Sequence, residues 1–147
     1  MLVQAFSEYL QPSILRLFQP YGPGQTGRLI PKLAECIRQK MPIRLGKDDC
    51  PHVTPVFVND VVSAFERAID APYWGTFNIA GDAALSMREL AREIGRIANC
   101  EPVFDETNEE LGDMMGDNAQ MKRVLGTWPM VSLSDGLCRT LRATKGV

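Results

Sequence analysis

Ser13-Ile14-Leu15-Arg16-Leu17-Phe18, followed at once by Gln19-Pro20-Tyr21-Gly22-Pro23-Gly24-Gln25, is the passage on which the fold of this 147-residue chain turns. Its first part reads as a short buried strand, with Ile14 to Leu17 at its centre, entered after Pro12 stops a preceding helix. Its second part is a dense turn cluster and reads as loop. A rigid turn rich in proline and glycine at the end of a buried strand is where open α/β sheets place ligands. Prolines fix its shape, and glycines let a flat ring or a backbone come close. On composition alone, the same residues also suit a plain tight connection.

Outward from this passage, short apolar runs alternate with helical stripes, the rhythm of a mixed α/β domain with a few short strands and about five helices. Leu29, Ile30, Leu33, Ala34 and Ile37 predict a helix over 27–39, with Pro31 tolerated in its first turn. Pro42 to Leu45, Gly75 to Ala80 and Pro102 to Phe104 read as strands, and residues 46–49 as a turn. A second helix carries Val61, Val62, Ala64, Phe65, Ala68 and Ile69 on its apolar side. Asn59 is its expected N-cap, Asp60 favours its dipole, and Pro72 lies just past its end. Ser86 and Glu89 form a capping-box pattern for a helix burying Met87, Leu90, Ile94, Ile97 and Ala98. A short helix starts within 117–120 and ends at Leu125-Gly126. A last one begins near Ser132 or Ser134 and packs Leu133, Leu137 and Leu141. Residues 105–116 are acidic and without period, so they read as a solvated, mobile loop; Met114, Met115 and Trp128 read as core or loop residues more readily than as a greasy binding surface. No repeat or linker divides the chain, and residues 1–147 read as one domain.

Bulk properties narrow the function. A 45% hydrophobic and 23% charged composition is that of an ordinary soluble globular protein. A net charge of −2 with scattered lysines and arginines argues against a nucleic-acid partner. No apolar run approaches the roughly 20 residues of a membrane span, and residues 1–13 lack the pattern of a signal peptide. Cytoplasmic residence is therefore expected. Cys36, Cys50, Cys100 and Cys138 form no Cys-x-x-Cys pair, and His52 is the one histidine. A zinc site cannot be written from these spacings, and Cys50-Pro51-His52 reads as a loop, not as a ligand pair. Free thiols in a reducing compartment fit better than a disulfide scaffold.

Arg16-Leu17 with Tyr21-Gly22-Pro23 and Gln25 resembles the signature that follows the sixth strand of extended short-chain dehydrogenases, the NAD-dependent epimerase/dehydratase family that acts mostly on nucleotide sugars. The likeness continues in order. Leu29-Ile30-Pro31 is similar to the family's next helix start, and Pro42-Ile43-Arg44-Leu45-Gly46 to its Pro-Ile-x-x-Gly strand. Val58-Asn59-Asp60-Val61 resembles the Val-Asp-Asp-Val element, and Phe77-Asn78-Ile79-Ala80-Gly81 the Tyr-Asn-Val-Gly-Gly strand end. Leu125-Gly126-Thr127-Trp128-Pro129, then Gly136-Leu137 with Thr140, resemble the C-terminal Leu-Gly-x-x-Pro and Gly-Leu-x-x-Thr. Each motif alone is weak, but the set in this order is specific.

The resemblance implies the C-terminal, substrate-binding part of an extended Rossmann-type dehydrogenase. It assigns Gln19, Arg28, Leu29, Ile43 and Arg44 to substrate and Pro20 and Tyr21 to the cofactor's edge. Gln19 stands where the family usually has asparagine, with the same amide chemistry on a longer stem. Val53-Thr54-Pro55-Val56-Phe57 carries no cation where many members place an arginine on the diphosphate, so a strong bidentate partner is missing there. No Gly-x-x-Gly-x-x-Gly loop and no Tyr-x-x-x-Lys pair is present: Ser13, Gln25 and Phe77 stand four residues after Tyr9, Tyr21 and Tyr73. Residues 1–10 resemble the tail of the catalytic helix. The expectation is NAD or NADP in the full-length protein but no cofactor bound to this chain, no catalytic residue, no metal, and a homodimer that covers the surface a cofactor domain would occupy. A non-catalytic binding or regulatory module, and an oligomerisation module, remain open beside the enzyme reading.

Overall fold

The computed structural model describes residues 12–71, 75–128 and 130–144. The expected helix before Pro12 and the Pro72 and Pro129 positions lie outside these residues. Fourteen segments follow one another: β1 (Ser13–Leu17), β2 (Pro20–Tyr21), α1 (Leu29–Gln39), β3 (Ile43–Leu45), a 3-10 turn (Lys47–Asp49), β4 (His52–Val53), β5 (Val56–Phe57), α2 (Val58–Asp70), β6 (Gly75–Ile79), β7 (Leu85–Ser86), α3 (Met87–Ala98), β8 (Phe104–Glu106), α4 (Ala119–Leu125) and α5 (Leu133–Thr144). The chain is thus a mixed α/β fold with short strands and, among the described residues, five helices.

The strands join in pairs. β1 runs parallel to β6, from Ser13 against Gly75 to Leu17 against Ile79. β2 is parallel to β5, β3 is parallel to β8, and β4 is antiparallel to β7. Two cores result. Ile30, Leu33, Ala34 and Ile37 of α1 interlock with Leu90, Ala91 and Ile94 of α3 and Leu137 and Leu141 of α5, closed below by Ile43, Leu45 and Phe57. The second core lays Val61 and Ala64 of α2 and Met121 and Leu125 of α4 over Phe77 and Ile79 of β6.

Local chemistry explains the ends of these elements. α3 opens on a complete capping box, in which Ser86 Oγ accepts from Glu89 N and Glu89 Oε2 accepts from Ser86 N. α1 and α3 close on left-handed residues, Lys40 (φ 54°) and Asn99 (φ 52°), whose N–H groups turn back onto the last carbonyls. Gly95 lets the chain fold back there, because a Cβ would lie 2.6 Å from Cys100 O. Arg88 crosses from α3 to Asp49 and Glu106 and lies over the Phe104 ring, tying the 3-10 turn to β8.

Several sequence expectations need correction. α2 begins at Val58 with Phe57 at its N-cap, so Asn59 sits inside the first turn and caps nothing. α1 begins two residues later than expected, because Gly27 (φ 66°) lies outside helical space. The strand expected at Pro102 to Phe104 forms at Phe104–Glu106, where pairing with β3 sets the register. Pro20–Tyr21, read as pure loop, pairs with Val56–Phe57. β1 is not buried: Ser13, Arg16 and Leu17 are exposed, so neither of its faces is fully covered. Val62, Phe65 and Ile69, expected in the core, face solvent.

Candidate functional site

β1 delivers the chain to a sharp corner at its C-terminal end. Phe18 N still bonds Ile79 O at 3.0 Å. The next residue, Gln19, takes φ 43°, a left-handed conformation uncommon for a residue with a side chain. That corner turns Gln19 O to Val56 N (3.3 Å) and brings Gln19 Nε2 to Met114 Sδ at 3.4 Å. Beyond it the loop is braced from within: Gln25 Nε2 donates to Pro20 O at 2.8 Å. Gly22 is required for close approach, since a Cβ there would lie 2.5 Å from Val58 Cγ1.

Between this corner and the start of α1 lies a cavity of about 340 Å³, lined by Leu17, Gln19, Pro20, Tyr21, Gln25, Arg28, Leu29 and Ile30. Arg28 is exposed and immediately precedes α1, whose first turn carries no acidic residue and whose N-cap makes no side-chain bond. A guanidinium beside the positive end of an eleven-residue helix dipole is a favourable place for an anion. Gly24 (φ 79°) and Gly27 (φ 66°) have open space where their side chains would be, so a ligand can reach the backbone there.

Tyr21 forms the floor. It is buried, and its ring meets Phe57 edge-on at 5.5 Å. Burial, reinforced by the charge of Asp60, holds its phenol well above the usual tyrosine value, so it keeps its proton at neutral pH. Gly136 of α5 packs against this floor: a Cβ there would strike Tyr21 Oη and come within 2.9 Å of Phe57 Cδ2. Asp60, behind the same wall, accepts from Val131 N (3.1 Å) and Trp128 Nε1 (3.3 Å), yet burial still raises its carboxyl.

Five of the seven residues assigned from sequence therefore share this cavity: Gln19, Pro20, Tyr21, Arg28 and Leu29. Ile43 is buried in the helix-side core. Arg44 points the other way on β3, is exposed, and pairs with Glu109. Neither lines the cavity. Gln25, Ile30 and Met114 belong to the neighbourhood although composition did not single them out as site residues. Met114 arrives because the acidic segment, expected to be loose, is stitched down. Thr107 N bonds Leu45 O (2.8 Å), Lys47 N bonds Glu109 O (2.9 Å), His52 N bonds Asp113 Oδ1 (2.7 Å), and Met114 N bonds His52 O (2.8 Å). Gly116 N completes the series on Thr54 Oγ1 at 2.9 Å. Those donors and acceptors lie some 60 residues upstream, so no local pattern could have disclosed them.

Among the described residues, no group of three or more histidine, cysteine or acidic side chains is placed to hold a metal ion. All four cysteines are free thiols, and Cys50 Sγ accepts from Leu111 N in place of any ligand role with His52. No helix among these residues is long and apolar enough to cross a membrane.

Three comparisons bear on this geometry. A UDP-glucose 4-epimerase of Mycolicibacterium smegmatis is 38% identical over 93 residues, which are 58% of this chain and 29% of that protein. The fold superimposes on UDP-glucuronic acid 4-epimerase from Bacillus cereus, solved with UDP-glucuronic acid and NAD, with a TM-score of 0.82 at 21% identity, over 98% of this chain and 49% of that one. It also superimposes on UDP-glucose 4-epimerase from Thermotoga maritima, solved with UDP-glucose, with a TM-score of 0.81 at 23% identity, over 99% and 50%. The chain thus spans about half the length of these solved relatives and less of the curated one. The sequence pattern of the NAD dependent epimerase/dehydratase family matches residues 1–80, more than half of the chain. With that match and the strand-corner-helix cavity together, the chain belongs to the NAD dependent epimerase/dehydratase family.

Proposed function

We propose that residues 1–147 act as one substrate-binding domain of an NAD(P)-dependent epimerase or dehydratase, with the dinucleotide cradle and the proton shuttle lying outside this chain. The observation that carries the reading is the cavity at the end of β1, where an amide, an arginine and a helix N-terminus converge. Arg28 and the first N–H groups of α1 suit the diphosphate of a nucleotide sugar or a related anion. Gln19 offers an amide to sugar hydroxyls. Leu29 adds apolar contact, and Pro20 and Tyr21 present a flat edge toward a nicotinamide. Ile43, in the helix-side core, and Arg44, paired with Glu109, are given no contact with the ligand in this cavity.

The residues present do not fit a whole dinucleotide. Tyr21 is buried against Phe57, and Pro20 has no N–H, so neither can cradle a pyrophosphate. No chemical step is assigned to them. A cavity open on one side buries little of any ligand, so affinity for substrate should be weak and turnover absent without the second wall. Calorimetric titration of the chain with NAD, NADP and a panel of UDP-, GDP- and dTDP-sugars tests this. The expected result is no dinucleotide binding, and nucleotide-sugar binding no tighter than about 100 μM that Arg28→Gln weakens at least about tenfold. Micromolar affinity for either dinucleotide would overturn it.

A second reading, a binding or oligomerisation module, is favoured by one feature: Val58, Val62, Phe65 and Ile69 form an exposed apolar stripe on α2. Such surface favours self-association, and a homodimer is expected on either reading. Light scattering at tens of micromolar decides it, since a monomer there would count against both the dimer and the module.

A further inference from the structure

The C-terminal ends of α1, α3 and α5 meet around a hollow that the family site does not use. We propose that this hollow binds a small organic phosphate with an apolar or planar body. It encloses about 340 Å³, a small-molecule size, and it is lined by Arg38, Arg96 and Arg142 over a floor that includes Ile97 and Leu141, with Cys138 on its wall. Arg28 and Arg38 stand ten residues apart along α1, so the hollow lies roughly 15 Å from the first cavity, at the opposite end of the same helix.

Three arginines in the last turns of three helices have an ordinary explanation, the offsetting of helix dipoles. Two observations go further. First, terminal carbonyls of α1 and α3 are already served by backbone. Lys40 N and Met41 N reach Ile37 O (3.2 Å) and Cys36 O (2.9 Å), and Asn99 N and Cys100 N reach Arg96 O (3.4 Å) and Gly95 O (3.0 Å). Arg38 and Arg96 are not needed there. Second, two of the three positive charges are uncompensated. Arg96 is clamped to Glu93 at 2.9 and 2.7 Å and also holds Ser134 Oγ. Arg38 and Arg142 have no hydrogen bond or ion pair with the described residues, and no carboxylate lines the hollow. Two free guanidinium forks above an apolar floor suit phosphate at one end of a ligand and a hydrocarbon or ring at the other. The half-dipoles of the helices reduce this positive charge without cancelling it.

The test uses the full chain and 1-naphthyl phosphate as probe, with inorganic phosphate and 1-naphthol as the two halves of its chemistry. Calorimetry should show the probe binding at least about tenfold more tightly than either half. Arg38→Gln with Arg142→Gln should weaken it at least about tenfold. Both positions are exposed, so the double variant keeps the fold, as circular dichroism would verify. Alkylation of Cys138, followed by mass spectrometry, gives an independent readout: saturating probe should slow it in the parent chain and not in the double variant. The proposal is overturned by no binding up to about millimolar probe, by equal affinity in the double variant, or by an unprotected Cys138 at saturation.

Discussion

On α3, every residue that helical periodicity assigns to the apolar side is buried or half-buried; on α2, three of six, Val62, Phe65 and Ile69, face solvent at 51, 47 and 83% exposure. The two helices are almost equally long, 13 residues in α2 and 12 in α3. They differ in what surrounds them. α3 lies between α1 and α5, and the hydrophobic residues of all three meet in one core. α2 rests on β1 and β6 with one side only, and its apolar residues are too many for that side. Val61, Ala64 and Ala68 make one stripe, which is used. Val58, Val62, Phe65 and Ile69, spaced by four, three and four, make a second stripe, which the described residues leave open. Periodicity reports how much surface a helix would bury; it does not say which neighbour will bury it. A helix with two apolar stripes can fill only one of them against a single layer beneath it.

The sharpest way to break this comparison is to truncate one residue on each helix. Leu90→Ala removes a fully buried side chain from the three-helix core and should cost about 2–5 kcal/mol. Phe65→Ala removes a half-exposed ring and should stay within about 1 kcal/mol when measured at low protein concentration. Urea unfolding of both variants measures the gap. If Phe65→Ala costs as much as Leu90→Ala, the outer stripe is already covered and the contrast is lost.

The joint between the two regions is the next place to press. Gly136 lies in α5, on the helix side, and touches Tyr21 and Phe57, which carry the ligand corner. Alanine is normally the better helix former by roughly 1 kcal/mol. Here its Cβ has no room, so Gly136→Ala should destabilise by about 1–3 kcal/mol and disturb Tyr21. Near-ultraviolet circular dichroism would report the tyrosine. A stabilised variant with unchanged aromatic signal would show that the joint is slack.

Both regions differ again in how far they were legible from sequence. The helix lobe was readable because its signals are local: a capping box at Ser86 and Glu89, apolar residues three and four apart, Gly126 closing α4 at φ 77°. The candidate site was readable in part, because Gln19 to Leu29 are nearly contiguous and the strand-turn-helix order constrains them. What could not be read depends on partners distant in sequence. β2 exists only through Val56 and Phe57, and the tethering of Asp113 and Met114 exists only through His52. Arg44 looked available until Glu109 came beside it from 65 residues away. Asn59 shows the same limit at a helix end, where a good capping residue lost the position because β5 carries extended backbone only as far as Phe57.

Helix ends give a smaller, cleaner test. Ser86→Ala deletes a cap that the structure contains and should cost about 1 kcal/mol. Asn59→Ala deletes a cap that only the sequence suggested, and should be neutral or slightly stabilising, since alanine is favoured inside a helix. Thermal unfolding of the pair is enough. Equal losses would restore Asn59 as a functioning cap.

The smallest effect concerns protons. Burial raises the carboxyl of Asp60 on α2, and Asp82 adds to that shift, against the donors Val131 and Trp128. Elsewhere the shifts go the other way: Arg88 lowers Asp49, Arg96 lowers Glu93, and Lys122 lowers Asp82. A lowered carboxyl contributes stability that is present above the ordinary carboxylate value of about 4 and lost as pH falls through its folded value. A raised one does the reverse. Its contribution is complete below about pH 4 and disappears as pH rises through its higher folded value. The chain as a whole should therefore weaken in acid, while Asp60 alone works against that trend. Asp60→Asn keeps an acceptor for Val131 but cannot titrate. Urea unfolding of both proteins from about pH 4 upward should show the parent chain losing ground to the variant as pH rises, then running level once Asp60 is fully charged. A gap that is constant, or that moves in the parent's favour with rising pH, would mean that the donors outweigh burial and that Asp60 is held as a stabilised anion.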